Sequence, residues 1–216
     1  MTSPPKPLIS AVLFDYGLVL SGPPDPAAWA DMRHITGFSE EALHASYWHS
    51  RHAYDQGHLT GRSYWQQVTS NCRPALTPEA LDHLLEADLR LWTQLNQPML
   101  EWAKLLQGKG IKTGILSNLG DAMAAGVIAK FEWLAAFDHC TWSHTLKMAK
   151  PDLEIYRRAA SGLATPLANI LFIDDKPENV VAARLAGMAS LQYNEHNAFL
   201  HALAELGLDH LLPATV

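Results

Sequence analysis

Short unbroken apolar runs alternate along the chain with longer stretches whose apolar residues recur at helical spacing. Residues 9–14 form one such run, which stops at Asp15 and is followed by Gly17 and the Gly22-Pro23-Pro24 break. A run too short for a helix and bounded by turn residues predicts a buried strand leading into a loop. Residues 113–116 and 170–173 repeat the pattern, and residues 137–142 and 189–193 repeat it more weakly. Helical periodicity fills residues 99–106, 153–163, 179–185 and 198–206, each with a glycine at or near its end. Strand, helix and strand in repetition predict an α/β fold, a mostly parallel sheet with helices on both faces.

Residues 26–92 break this rhythm. They hold no convincing strand, and their segments open with helix-start chemistry at Ser39-Glu40-Glu41, Thr60 and Thr77-Pro78-Glu79. A helical unit inserted after the first strand is expected. It contains Trp29, Trp48, Trp65 and Trp92, four of the seven tryptophans. Aromatics at helical spacing are expected in its core rather than around a pocket.

With 216 residues, 48% of them hydrophobic and 18% charged, the chain is long enough to bury a substantial core, which excludes disordered and fibrous classes. The 16 basic and 22 acidic side chains give a formal charge of −6, and no dense basic run occurs, which argues against a nucleic-acid partner. Cys72 and Cys140 lie far apart and suggest neither a disulfide framework nor a thiolate metal site. The Thr2 to Pro7 stretch is polar and proline-rich, and charge interrupts every apolar stretch well before the ~18 residues of a membrane span. The expectation is a soluble, cytoplasmic protein without a membrane partner; oligomeric state is left open.

Ligands of open parallel sheets bind beyond the carboxyl ends of the strands. Four such places carry reactive groups: Asp15, Ser117-Asn118, Lys150 before Pro151, and Asp174-Asp175. Singly, each has an ordinary reading as a turn former, helix cap, solvated charge or loop. Jointly, three carboxylates on one rim repel one another unless a lysine and a divalent cation neutralise them. Oxygen ligands of this kind suit Mg²⁺, which commonly bridges carboxylates to a substrate phosphate. Asp15 would then be free to attack phosphorus, with Mg²⁺ and Lys150 stabilising the transferring group.

These residues resemble the haloacid dehalogenase-like hydrolase superfamily. Its four motifs appear in order as Leu13-Phe14-Asp15-Tyr16-Gly17-Leu18-Val19-Leu20, Ile115-Leu116-Ser117-Asn118, Lys150-Pro151-Asp152, and Phe172-Ile173-Asp174-Asp175 with Asn179 and Gly187-Met188. The resemblance implies a Rossmann-like core over residues 1–21 and 96–216, with a helical cap over residues 22–95. It further implies an aspartyl nucleophile at Asp15 and phosphate contacts from Ser117, Asn118 and Lys150. Mg²⁺ would be held by Asp15, the Gly17 carbonyl and the acidic pair, with Asp175 as the direct ligand and Asp174 behind it.

One position departs from the pattern. Phosphatases of this superfamily usually carry a second aspartate two residues after the nucleophile, as acid and then base; Gly17 stands there instead. Losing that acid costs roughly 10²–10⁴-fold for a poor leaving group. Either another group substitutes, the substrate has a good leaving group, or the protein is not a phosphatase. A similar Asp-x-Gly motif occurs in the branch resembling bacterial sugar-1-phosphate phosphatases, which keeps a small sugar phosphate among the candidate substrates.

Tyr16 is expected to point away; His49 and His52 are spaced to share a helix face and are expected as a surface pair, the alternative being that one reaches the leaving group. Lys147 would either add charge near the phosphate or be solvated. The alternatives to a Mg²⁺-dependent phosphatase are a metal-independent 2-haloacid dehalogenase and a non-catalytic phosphate-binding protein.

Overall fold

The computed structural model describes residues 8–213. The Thr2 to Pro7 stretch therefore lies outside the described residues. Five strands, β1 (Ala11–Phe14), β2 (Lys112–Ser117), β3 (His139–Trp142), β4 (Ile170–Asp174) and β5 (Ala189–Gln192), form one parallel sheet in the order β3-β2-β1-β4-β5. Both faces are covered, so the central strands read as continuous apolar runs rather than alternating ones. Side-chain direction still alternates with period two. Val12, Phe14, Ile115, Leu171 and Ile173 enter one core cluster, and Ala11, Leu13, Leu116, Ile170 and Phe172 enter the other.

The helices, in chain order, are α1 (Pro26–Thr36), α2 (Glu40–His49), α3 (Arg51–Asp55), α4 (Gly61–Val68), α5 (Pro78–Leu91), α6 (Gln97–Gly108), α7 (Asp121–Lys130), α8 (Ser143–Leu146), α9 (Leu153–Gly162), α10 (Pro177–Ala186) and α11 (His196–Glu205). Residues of α9 and α10 pack on one sheet face, and those of α6, α7 and α11 on the other. The fold is thus α/β and Rossmann-like, with its switch point at the carboxyl end of the central strand β1.

Helices α1 to α5 make up the insertion, which contains no strand. Ser39, Thr60 and Thr77 cap α2, α4 and α5 by accepting from backbone N–H groups, as their sequence positions predict. The chain leaves and re-enters the core through the antiparallel bridge of Ser21 with Leu95.

Two features depart from the sequence pattern. Helix α7 shows no clear helical period in the sequence: Asp121–Lys130 is apolar with little polar face, and it is wedged against the insertion. Its Gly126 lies where an added Cβ would meet Leu89 at 2.6 Å. The tryptophans also divide rather than all entering the insertion's core. Trp65 is 0% exposed among Tyr47 and Tyr64, whereas Trp48 is 43% exposed and lines the cavity described below together with Trp92. Among the described residues, no helix is long and apolar enough to cross a membrane.

Candidate active site

Phe14 pairs with Ile115 on one side and Ile173 on the other, so Asp15 and Asp174 leave their strands at the same level. The chain after Asp15 does not continue as strand or regular helix: Leu18 sits at φ 57, and its N–H is held by Ser21 Oγ at 3.1 Å. This tight turn keeps Asp15 at the rim. Asp15 Oδ1 accepts from the Tyr16 N–H at 2.7 Å and pairs with Lys150 Nζ at 2.9 Å. Ser117, at the end of β2, lies beside the same carboxyl.

Lys150 is nearly fully buried between two carboxylates, its Nζ also 2.5 Å from Asp174 Oδ2. Burial works against its positive charge, but Asp15 and Asp174 outweigh that and hold its pKa above the usual lysine range. Burial pushes the Asp15 carboxyl up against the pull of Lys150, and Asp174 adds to the rise. Both oxygens of Asp174 are occupied. Oδ1 accepts from the Lys176 N–H at 2.9 Å, and Asn179 Nδ2 donates to Oδ1 and Oδ2 at 3.0 Å each. Asp175 instead faces the cavity, where burial, with Asp15 and Asp174 nearby, raises it to about 6.

Asn118 is expected to contact phosphate. It lines the cavity, but its carboxamide clamps the Lys150 backbone: Nδ2 donates to the carbonyl at 3.0 Å, and the Lys150 N–H donates to Oδ1 at 2.9 Å. Its side chain positions the lysine. Gly17 lines the same cavity.

The cavity has a volume of about 400 Å³. Asp15, Ser117, Lys150 and Asp175 form its sheet wall; Trp48, Arg51, Asp55 and Trp92 form its helical wall. The helical wall exists because α2 ends at Ser50 and the chain restarts as α3. Arg51 Nε donates to Asp55 Oδ1 at 3.0 Å, one turn on, and its NH1 reaches the Tyr47 hydroxyl and, at 3.4 Å, Asp88 Oδ1. The Tyr47 hydroxyl donates to Asp88 Oδ1 at 2.7 Å, and Trp92 Nε1 donates to that hydroxyl at 3.1 Å. Helix α3 is fastened to the core through Ser143 Oγ on the Asp55 carbonyl and Lys147 Nζ on the Gly57 carbonyl. Lys147 does not line the cavity; it is exposed, and its ammonium is held by the Gly57 carbonyl rather than by the phosphoryl site.

The same break removes His49 and His52 from a common helix face; both are exposed and neither lines the cavity. Tyr16 is buried, with its hydroxyl donated to the Trp92 carbonyl at 3.0 Å. The sequence reading missed Arg51, Asp55 and Lys176 as cavity residues. The Arg51/Asp55 spacing of one helical turn was the available signal.

Three carboxylates and a buried lysine at the switch point of a Rossmann-like sheet define a hydrolase-type site built for anionic chemistry. The family comparison is specific: residues 9–187 match the haloacid dehalogenase-like hydrolase model, and the chain belongs to that family. A drimenol cyclase of Aspergillus calidoustus is 26% identical over 214 residues, covering 94% of this chain but only 39% of its own length, so the chain spans well under half of that relative. A Mycobacterium tuberculosis phosphatase is 29% identical over 187 residues, 83% of this chain and 85% of its own. Among solved structures, a haloacid dehalogenase family enzyme from Bacteroides thetaiotaomicron in complex with magnesium and inorganic phosphate superposes with a TM-score of 0.72. Its identity is 20%, covering 86% of this chain and 94% of that one.

Proposed function

We propose that this hydrolase is a Mg²⁺-dependent phosphomonoesterase acting on a small organic phosphate through a phospho-Asp15 intermediate. The observation that carries the reading is the cluster of Asp15, Asp174 and Asp175, whose ligand atoms lie within 4.8 Å of one another beside Lys150. An all-oxygen donor set with surplus negative charge fits Mg²⁺. Asp15, Asp175 and the Gly17 carbonyl would hold the cation, while Asp174 keeps Lys150 and Asn179 in place. Bound there, Mg²⁺ would offset charge on the transferring phosphoryl group.

The chain's own residues supply the rest. The Tyr16 N–H and Lys150 Nζ both engage Asp15 Oδ1, so Oδ2 is taken as the oxygen that attacks phosphorus. Lys150 and Ser117 receive phosphoryl oxygens, with Asn118 fixing the Lys150 backbone. Helices α1 to α5, residues 22–95, act as the cap and choose the substrate. Trp48, Trp92, Leu18 and Leu119 give the cavity apolar walls. Those walls favour an aryl or branched aliphatic body over the sugar considered from the motif alone. The similarity to a mycobacterial phosphatase over most of both chains supports the same chemistry.

The test is phosphate release from an aryl phosphate, a branched alkyl phosphate, sugar 1- and 6-phosphates and nucleotides, with and without Mg²⁺. Release should require Mg²⁺, disappear in Asp15→Asn and demand more metal in Asp175→Asn. Turnover retained in Asp15→Asn overturns the mechanism. Halide release from a 2-haloacid without Mg²⁺ points to the dehalogenase alternative, and tight phosphate binding without turnover to a binding protein.

A further inference from the structure

Gly17 leaves the proposed phosphatase without the acid that would normally protonate the leaving group, and nothing fills that space. A Cβ built on Gly17 meets no atom within 4 Å. The proton must come from elsewhere in the cavity. In-line displacement puts the leaving oxygen on the side of phosphorus away from the nucleophile. With Asp15 on the sheet wall, the leaving oxygen faces the helical wall, which carries Arg51 and Asp55.

The charges on that wall are unequal. Asp55 and Asp88 are two carboxylates sharing one buried guanidinium, Arg51, and Asp88 Oδ2 has no hydrogen-bond partner. At Asp55 burial outweighs the pull of Arg51 and the weaker pull of Lys176, so this carboxyl is favoured as a neutral acid. Of the two, Asp55 faces the cavity. Arg51 engages its Oδ1, leaving Oδ2 for a substrate. Neither Tyr16 nor the histidines replace it: the Tyr16 hydroxyl is donated to the Trp92 carbonyl, and His49 and His52 lie outside the cavity.

We propose that Asp55 is the acid that protonates the leaving oxygen and then the base that activates water, standing in from the insertion for the carboxylate missing at Gly17. This rests on the phosphatase reading. In the first step Asp15 Oδ2 bonds to phosphorus, the ester P–O bond breaks, and the Asp55 proton goes to the leaving oxygen, giving the alcohol. In the second, Asp55 takes a proton from water as the water oxygen bonds to phosphorus. The Asp15–phosphorus bond breaks, and the Asp15 carboxylate and inorganic phosphate are released.

Burial raises Asp55 to about 6, against the pull of Arg51. The titratable and charged groups packed around it are Tyr47 of α2, Tyr64 of α4, Asp88 of α5, and Lys176 from the core. Helix α8 and the residue after it add His144, bound to the Leu119 carbonyl, and Lys147, bound to the Gly57 carbonyl.

The experiment compares kcat/KM of wild type and Asp55→Asn, with Mg²⁺, for para-nitrophenyl phosphate, phenyl phosphate and a branched alkyl phosphate. An acid matters in proportion to the basicity of the leaving oxygen. The variant should lose on the order of 10²–10⁴-fold on the alkyl ester and little on the nitrophenyl ester. Gly17→Asp in the Asp55→Asn background should restore much of the alkyl activity, since the position has room. Equal loss across the series, or no rescue, overturns the proposal. Should Asp55→Asn fail to fold, wild type alone decides: kcat/KM for the alkyl ester should fall as pH rises above about 6, relative to the nitrophenyl ester. Parallel profiles contradict it. Absence of phosphate release from every ester in wild type is a failure of the phosphatase reading itself, and is distinguishable from these outcomes.

Discussion

The molecule buries two ionic clusters on opposite walls of one cavity, and each gathers carboxylates around a single cation. At the sheet rim, Lys150 lies between Asp15 and Asp174, and both Asp174 oxygens are satisfied by Lys150, Asn179 and the Lys176 N–H. In the insertion, Arg51 lies between Asp55 and Asp88; Asp88 Oδ2 has no partner, and Asp55 is raised to about 6. The first arrangement holds its charges in place. The second leaves a carboxyl ready to exchange a proton. Rigid positioning at the rim and proton exchange on the opposite wall are complementary needs of phosphoryl transfer.

The sharpest break is between the two cations. Lys150→Met removes charge from the phosphoryl site and should cost roughly 10²–10³-fold or more in kcat for every ester. Arg51→Met should destabilise to a similar degree, about 3–5 kcal/mol for either variant because each leaves a buried carboxylate unpaired, but its activity loss should grow with leaving-group basicity. Denaturant melts beside ester kinetics check both. Identical kinetic patterns would erase the distinction between the clusters.

A smaller effect tests how the insertion is docked. Gly120 lies under the Tyr54 ring, where an added Cβ would come within 2.1 Å of Cε2. The Tyr54 hydroxyl receives the Met123 N–H at 3.3 Å, so the ring has little freedom to retreat. Gly120→Ala should cost about 1–3 kcal/mol, read by denaturant melts. It should also loosen the helical wall, with KM rising more than kcat falls.

The smallest effect is on stability against pH. The Asp55 carboxyl binds its proton more tightly folded than unfolded, so folding is favoured most below the ordinary value of 3.8. That contribution is lost as pH rises through about 6. Asp55→Asn does not titrate and should remove this slope. Without metal, its melting temperature should exceed that of wild type by a few degrees above pH 6, relative to the difference at pH 4. Parallel curves for the two proteins would remove the buried-acid description of Asp55.

The rim cluster was legible in the sequence because each member follows a short apolar run and sheet topology gathers strand ends. Asp15 after residues 9–14 and Asp174-Asp175 after residues 170–173 needed only that rule. The weaker strand runs became β3 and β5, and the caps at Ser39, Thr60 and Thr77 formed as their chemistry predicts. The cluster in the insertion was not legible. Tyr47, Arg51 and Asp88 come from α2, α3 and α5, and no periodicity in one helix says which neighbour it meets. The break at Ser50 turned Arg51 and Asp55 toward the cavity and the histidines away from it. Asn118 shows a subtler limit: its position at the site was readable, but the partner of its carboxamide depended on where Lys150 arrived.

The central claim is that Asp15 becomes covalently phosphorylated. The direct measurement is acid quenching of enzyme turning over a phosphate ester with Mg²⁺, followed by mapping of phosphoryl mass onto peptides. The account predicts an acid-trapped, hydroxylamine-labile phosphoryl group on Asp15, absent in Asp15→Asn and accumulating in Asp55→Asn with the nitrophenyl ester. Phosphate release without any phosphoryl group on Asp15, or with the group on another residue, would contradict it.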